Sequence, residues 1–211
     1  MKNNQEIYIE YAKQFAEENK CHIWLGGSFA KGTATLFSDV DISVYCDSER
    51  INEFICGYKK PVFISYTQNP KGILIIIYED GVAVDLEIIE KIDLSEDVCF
   101  HTDDIKLKDY VRNESLCKQL ALSNEVVYQI SRLFHRSLIK FLSGKKDTGV
   151  SIANEIESFY NAESVIDKEN YEVKFVDLLR SYNEKYPLSA EYISVLYELI
   201  EELKKSKCNE I

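Results

Sequence analysis

The stretch of sequence that decides the fold is a glycine-led turn followed by a short acidic strand. It runs Gly26-Gly27-Ser28-Phe29-Ala30-Lys31-Gly32-Thr33-Ala34-Thr35-Leu36-Phe37-Ser38-Asp39-Val40-Asp41-Ile42. Asp39 and Asp41 alternate with apolar residues at the period of a β-strand, so both carboxylates point to one face. Neighbouring carboxylates repel each other unless a cation lies between them, and hard oxygen ligands suit Mg²⁺. The pattern therefore predicts either a magnesium site or an exposed edge strand with solvated acids.

The glycines at the start of this stretch follow a short apolar strand predicted over residues 22–25. Glycine lets the backbone approach a ligand closely, and the free N–H groups at the start of a helix attract phosphate. Ser28 can add a hydroxyl donor to such a site. A plain turn is the alternative interpretation. The stretch is not a Walker A loop, because Thr33 follows Gly32 where that motif requires lysine.

A further acidic position lies on a later strand, predicted over residues 82–89. There Asp85 and Glu87 share one face of the strand, and the apolar residues between them share the other. A carboxylate in the middle of such an apolar strand must face water or a partner. Beside Asp39 and Asp41, it could bind a second metal ion or take a proton from an attacking hydroxyl. The sequence leaves both Asp85 and Glu87 open as that base.

The charge balance of the chain excludes some classes of function. Its 211 residues include 25 Lys+Arg against 36 Asp+Glu, which gives a formal net charge of −11. General nucleic-acid binders need basic surface to displace counterions from phosphates, so we expect no nucleic-acid partner. An acidic surface instead attracts cationic small molecules.

The six cysteines predict neither a metal site nor a disulfide framework. No two of them stand in a C-x-x-C pair, and scattered thiols in a chain of this length are typical of reduced residues in a cytosolic protein. The N-terminal residues lack an apolar signal core, and the longest strongly apolar run, over residues 73–77, is too short to span a membrane. We therefore expect a soluble cytoplasmic protein with no membrane partner.

Hydrophobic periodicity divides the chain into two parts. We predict an α/β first domain over residues 1–110 and an all-helical second domain over residues 111–211. Helices are predicted near residues 4–19, 48–57, 116–142, 150–166, 173–182 and 189–205, and strands near 22–25, 39–45, 62–66, 72–78 and 82–89. Gly144 and Gly149 predict a break between the first two helices of the second domain.

The motifs together resemble a known family. The pattern Gly27-Ser28-x-Ala30-x-Gly32-Thr33-Ala34-x-x-x-Ser38-Asp39-x-Asp41, with an acid on a later strand, resembles the nucleotidyltransferase superfamily of DNA polymerase beta. Within it, the pattern is most similar to the branch that holds the antibiotic nucleotidyltransferases and the minimal nucleotidyltransferases. The resemblance covers roughly residues 22–90. It implies an α+β fold, in which a mixed β-sheet flanked by helices precedes a helical bundle.

The resemblance also implies roles for residues. Gly27 and Ser28 would hold the triphosphate of ATP or another nucleoside triphosphate. The metal ligands would be Asp39, Asp41 and Asp85, with two Mg²⁺ ions expected, and Asp85 or Glu87 would be the general base. The reaction would be attack by an acceptor hydroxyl on the α-phosphorus, with pyrophosphate leaving. The expected enzyme is an adenylyltransferase that moves AMP onto a small antibiotic, with an aminoglycoside favoured over a lincosamide.

Two charged groups bear on the substrates. Arg132, Arg136 and Lys140 follow helical spacing and form a basic stripe, which would face the triphosphate or, alternatively, is a solvated helix face. An acidic group after the strand that carries Asp85 would attract a cationic acceptor or, alternatively, forms a solvated loop; its members are Asp93, Glu96, Asp97, Asp103 and Asp104. The helical domain would close the cleft and contribute to acceptor binding.

Other functions remain compatible with the sequence. One is a minimal nucleotidyltransferase that adenylylates a protein, as an antitoxin does. The other is a nucleotide-binding regulator without catalysis, although all three acids are present. The nucleotide preference, the acceptor and the oligomeric state stay open, with a homodimer as one option.

Overall fold

The chain forms two compact units, one α+β and one helical. The computed structural model describes residues 3–67, 72–93, 98–102, 110–160 and 165–208. The units are Met1–Asn124 and Glu125–Ile211. This confirms the predicted fold class, but the division falls later than the expected residue 110. The reason is that residues 111–120 add a short strand and a helix to the sheet of the first unit.

The first unit contains most of the predicted elements, within one or two residues of their expected bounds. Its described helices are α1 (Asn4–Asn19), α2 (Gly27–Ala30), α3 (Ser48–Gly57) and α4 (Glu114–Leu120). Its described strands are β1 (His22–Leu25), β2 (Val40–Tyr45), β3 (Pro61–Thr67), β4 (Ile73–Tyr78), β5 (Ala83–Lys91), β6 (Phe100–His101) and β7 (Val111–Arg112). The sequence did not predict β6 and β7, because two residues are too few to show an alternating pattern.

The strands form one mixed sheet with the two acid-bearing strands at its centre. Their order is β3-β4-β5-β2-β1-β6, and β7 pairs with the far end of β5. The pairs β2/β5 and β1/β6 are parallel, whereas the other neighbours are antiparallel. In the central pair, residues 40–45 align with residues 84–89. This register decides which polar side chains meet across the sheet.

One face of the sheet is apolar and carries the main core of the first unit. The helix α1 contributes Tyr8, Ala12 and Ala16, each fully buried, at the i, i+4 and i+8 positions of one helix face. The helix α3 contributes Phe54, and α4 contributes Cys117, both about as buried. Because strand side chains alternate between faces, the apolar residues of β2 and β5 join this core while their polar neighbours point away.

The second unit contains four described helices: α5 (Val126–Leu142), α6 (Lys146–Tyr160), α7 (Tyr171–Lys185) and α8 (Ala190–Cys208). The continuous helix predicted over residues 116–142 was wrong. The chain leaves the helix at Ala121, which is extended, and the Leu122 N–H donates to the Ile64 carbonyl at 3.0 Å. A new helix then starts after Glu125, so one predicted helix is α4 of the first unit followed by α5 of the second.

The predicted break around Gly144 and Gly149 is correct only at its first residue. Gly144 ends α5 with a φ of 84°, a left-handed conformation that glycine adopts without strain. Gly149 instead lies inside α6 and is buried. A Cβ atom there would lie 2.8 Å from the Cβ of Phe141, so this glycine allows α5 and α6 to pack closely.

The expectation of six reduced cysteines was wrong for two of them. Cys21 and Cys46 form a disulfide, while Cys56, Cys99 and Cys117 are free. Cys21 precedes β1 and Cys46 follows β2, and the antiparallel register of these strands brings the two positions opposite each other. None of the helices among the described residues is long and apolar enough to cross a membrane.

Candidate functional site

The centre of the site is a pair of aspartates on the two central strands. In the parallel register of β2 and β5, Asp41 lies opposite Asp85. Both are half-buried on the polar face of the sheet, whereas Ile42 and Leu86, the next pair, are buried on the apolar face. Directly opposed carboxylates repel each other in the absence of a cation. The fold therefore builds a place where a positive charge is stabilised.

Asp39, the third predicted metal ligand, lies just before β2 and is half-buried. A turn directly precedes it. In this turn, the Ser38 N–H donates to the Thr35 carbonyl at 3.1 Å, and the Thr35 N–H donates to Ser38 Oγ at 2.9 Å. The second bond uses the serine hydroxyl, and the Thr35 hydroxyl lies 3.3 Å from the same oxygen. The turn delivers the chain into β2 directly ahead of the aspartate pair.

The glycine turn packs directly against one of the aspartates. The Gly26 N–H donates to the Asp41 carbonyl at 2.9 Å, and Gly27 has a φ of 60°. A Cβ atom on Gly27 would lie 1.7 Å from Asp41 Oδ2, so the Asp41 carboxylate would have to move to accommodate any side chain there. Glycine is therefore needed at residue 27 for two reasons, its left-handed backbone and the carboxylate beside it.

Ser28 is the second residue of the short helix α2, whose first residue, Gly27, lies beside this carboxylate. The Ser28 carbonyl accepts from the Thr33 N–H at 2.9 Å, which closes the turn. The first backbone N–H groups of a helix have no acceptor within the helix, so they face outward from its start. Gly27, Ser28 and Asp41 are thus neighbours, as the sequence motif predicts, and their roles toward a nucleotide stay a prediction.

Glu87, the alternative base, lies two residues beyond Asp85 on the same face of β5. The residue is 8% exposed, and its carboxylate accepts from Ser43 Oγ at 2.8 Å and forms an ion pair with Arg112. The sequence analysis did not find Arg112, because β7 is too short to be seen and 25 residues separate the two. The two candidate bases therefore have different surroundings.

Aromatic rings of β1 and β6 lie on the polar face, beside the strands that carry the acids. Trp24 stacks on His101 with ring centroids 5.0 Å apart and an angle of 7°, and His22 lies 6.1 Å from Trp24. Trp24 is opposite Ser43 in the register of β1 and β2, so the rings lie in the row next to the acid-bearing strands. His101 lies on β6, which the sequence did not predict.

The carboxylates fit a magnesium ion that is bound together with phosphate. Within the described stretches, no group of three or more His, Cys, Asp or Glu side chains is arranged to hold a metal ion by itself. Mg²⁺ is usually held by one or two carboxylates together with waters and substrate phosphates, rather than by an all-protein cage. The opposed pair Asp41 and Asp85, with Asp39 nearby, matches that mode.

The predicted basic stripe lies on α5 of the second unit. Arg132 and Lys140 are half-buried, and Arg136 is exposed. Its role toward a triphosphate stays a prediction. Of the predicted acidic group, Asp93 is exposed, and the other four members lie outside the described residues: Glu96, Asp97, Asp103 and Asp104.

The comparison with known proteins agrees with this geometry. The chain matches the family described as a nucleotidyltransferase domain over residues 8–171, well over half of its length. No curated protein matches the chain. The family match spans the glycine turn, the aspartate pair and Glu87, so the motif and the fold around it point to the same conclusion. The chain belongs to the nucleotidyltransferase domain family.

Proposed function

We propose that this protein is a Mg²⁺-dependent adenylyltransferase that moves AMP from ATP onto a hydroxyl of a small cationic antibiotic. The observation that carries the proposal is the opposition of Asp41 and Asp85 directly beside the Gly27 turn. This arrangement combines a cation site with backbone N–H groups that suit phosphate. A nucleoside triphosphate with its metal ion needs both.

The residues divide the work of the proposed reaction. Gly27 and Ser28 bind the triphosphate, and Asp39, Asp41 and Asp85 hold the metal. Mg²⁺ bound there would neutralise the negative charge of the phosphate oxygens. The acceptor oxygen attacks the α-phosphorus, the bond from that phosphorus to the bridging oxygen breaks, and pyrophosphate leaves. Asp85 takes the proton of the acceptor hydroxyl.

The preference for a cationic acceptor rests on charge. The chain carries a formal net charge of −11, so a polycationic molecule such as an aminoglycoside is drawn to it. We propose Arg132, Arg136 and Lys140 of α5 as the cations that would bind a triphosphate.

The proposal is tested by pyrophosphate release. The purified chain is incubated with Mg²⁺ and each of the four nucleoside triphosphates, against a panel of aminoglycosides and lincosamides. Release that depends on ATP and one aminoglycoside, and that is lost in Asp41→Asn, is the expected result. Release with a different nucleotide or a lincosamide corrects the substrate and keeps the reaction.

If no compound of the panel causes pyrophosphate release, the proposal of a small-molecule acceptor is overturned. ATP binding measured by calorimetry then separates the alternatives. Labelling of a co-purifying protein by radioactive ATP identifies a protein acceptor. Binding without any transfer identifies a regulator. Loss of ATP binding in Asp41→Asn, with an unchanged melting temperature, assigns that binding to the aspartate pair.

A further inference from the structure

Glu87 lies at the centre of a hydrogen-bonded network that the catalytic proposal does not use. Its Oε1 accepts from Arg112 Nε and from the Tyr110 hydroxyl at 2.9 Å. Its Oε2 accepts from Ser43 Oγ at 2.8 Å and lies 3.0 Å from the same tyrosine hydroxyl. Both carboxylate oxygens are therefore occupied by donors of this chain, and the side chain is buried.

Two of these donors, Arg112 of β7 and Tyr110 just before it, also bind each other. Arg112 donates to the Tyr110 hydroxyl oxygen at 3.1 Å, and its guanidinium carbon lies 5.6 Å from the centre of the tyrosine ring. Burial raises the pKa of Tyr110, so its hydroxyl remains a donor at neutral pH. Arg112 is opposite Ile89 in the antiparallel pair of β7 with β5. The network thus ties β2, β5 and β7 together.

The network lies immediately next to the aspartate pair. Ser43 is opposite Glu87 in the same parallel register that opposes Asp41 and Asp85. The two pairs are two residues apart along both strands, which corresponds to about 7 Å on one face of the sheet. The bond from Ser43 to Glu87 therefore fastens β2 to β5 one step from the metal ligands, and it opposes any slip that would separate them.

We propose that Glu87 is a positioning residue and not the general base. With Arg112, Tyr110 and Ser43, it fixes the separation of the two aspartates. The proposal rests on the proposed function, because it assigns the metal to the aspartate pair. A base needs a carboxylate oxygen that the acceptor hydroxyl can reach, and this carboxylate is committed to three donors of the chain.

The sharpest test is a charge-rescue cycle. Arg112→Met leaves a buried carboxylate without its cation, which is more damaging than removing both charges. Glu87→Gln alone keeps a hydrogen-bonding group of the same shape. We expect Arg112→Met to weaken Mn²⁺ binding by about tenfold or more, and the double variant Arg112→Met/Glu87→Gln to recover most of that loss, since the second change removes the unpaired charge.

The primary readout is Mn²⁺ binding by calorimetry in the presence of a non-hydrolysable ATP analogue, so it does not depend on knowing the acceptor. Glu90→Gln is the matched control, since it neutralises an exposed acid on the same strand. Ser43→Ala removes one donor without changing any charge, and we expect it to weaken Mn²⁺ binding by about threefold. It also keeps the test usable if Arg112→Met does not fold.

The outcomes separate the two proposals. If Glu87→Gln and Ser43→Ala bind Mn²⁺ as tightly as Glu90→Gln, the positioning role is wrong. If Glu87→Gln abolishes turnover and the double variant recovers nothing, Glu87 is the base instead. If the wild-type chain binds no Mn²⁺ with the ATP analogue, the proposed function fails before the network is tested. Recovery in the double variant supports the positioning role whatever the acceptor is.

Discussion

The two faces of the central strands differ in what they contribute. On the apolar face, Val84 and Leu86 of β5 are fully buried in the main core of the first unit. On the polar face, the residues that alternate with them are Asp85 and Glu87. Asp85 is half-buried, and Glu87 is buried and forms an ion pair with Arg112. Under the proposed function, residues for stability and residues for chemistry therefore alternate along one strand. A single substitution can address one without the other.

Polar groups are buried on both faces, but their partners differ. On the apolar face, Tyr11 and Tyr78 donate to the backbone carbonyls of Phe54 and Ile55, at 2.6 and 2.9 Å. Burial raises the pKa of both hydroxyls well above the ordinary range, so they stay neutral. The polar face instead contains carboxylates. A buried carboxylate requires a cation as its partner, and Arg112 is the partner of Glu87. The tyrosines of the apolar face thus bond to the backbone, whereas the buried carboxylate of the polar face forms an ion pair.

The largest expected effects come from adjacent residues of β5. Asp85→Asn removes the proposed base and a metal ligand, so we expect turnover to fall by about 10²–10⁴-fold. The melting temperature should stay within a few degrees of wild type, because the aspartate is half-buried and the change is isosteric. Leu86→Ala should lower the free energy of unfolding by about 2–5 kcal/mol, since the leucine is fully buried.

These two variants are compared by activity per folded molecule and by urea unfolding. Leu86→Ala should keep near-wild-type turnover at temperatures where it is folded. An inactive but folded Leu86→Ala, or an active Asp85→Asn, would show that the two faces are not independent.

The second expected effect concerns the turn beside the aspartates. Gly27→Ala forces a left-handed alanine, which costs about 1–2 kcal/mol, and its Cβ collides with the Asp41 carboxylate. We expect at least a tenfold loss of turnover and weaker Mn²⁺ binding. Gly81→Ala is the matched control, because Gly81 has a φ of 82° and nothing lies within 4 Å of the added Cβ.

Both glycine variants should lose stability through the left-handed alanine, with a larger loss in Gly27→Ala from the collision, and only Gly27→Ala should lose metal binding. Thermal melts and calorimetric Mn²⁺ titrations measure the two quantities. Equal Mn²⁺ affinity in both variants would mean that the contact between residue 27 and Asp41 does not affect metal binding.

Much of this site could be predicted from the sequence, because its signals are local. The alternation of acids with apolar residues predicts β2 and β5, and it selects Asp41 and Asp85 for one face. The register that opposes them is not local, since it depends on the pairing of distant strands. The sequence therefore left Asp85 and Glu87 as equal candidates, and only their different neighbours distinguish them.

The errors also have physical causes. Helical periodicity continues from Leu116 to Leu142, so the sequence does not indicate that α4 ends before Leu122. There the backbone N–H donates to the Ile64 carbonyl of β3 instead. Gly149 resembles a helix breaker, but it is required by the close approach of Phe141. The disulfide between Cys21 and Cys46 follows from strand pairing and not from cysteine spacing. Each missed feature depends on a contact between distant residues.

The last prediction concerns the reactivity of the Cys117 thiol, which reports how well the apolar face excludes water. Burial raises the pKa of the Cys117 thiol to about 11, whereas Cys56 is exposed. At pH 8 a pKa of about 11 leaves roughly one thiol in a thousand as the reactive thiolate. We expect iodoacetamide to label Cys56 at least a hundredfold faster than Cys117, as followed by peptide mass spectrometry.

The same thiol adds a pH dependence to the stability of the first unit. Because its pKa is raised in the folded state, its contribution is fully present below the pKa of the unfolded thiol and is lost as the pH rises through about 11. Urea midpoints should therefore fall between about pH 9 and 11, and less steeply in Cys117→Ala than in Cys56→Ala. Since Cys56 is exposed, its variant controls for the loss of one thiol. Equal slopes, together with equal labelling rates, would mean that water reaches the core beneath the central strands, and the contrast between the two faces would then fail.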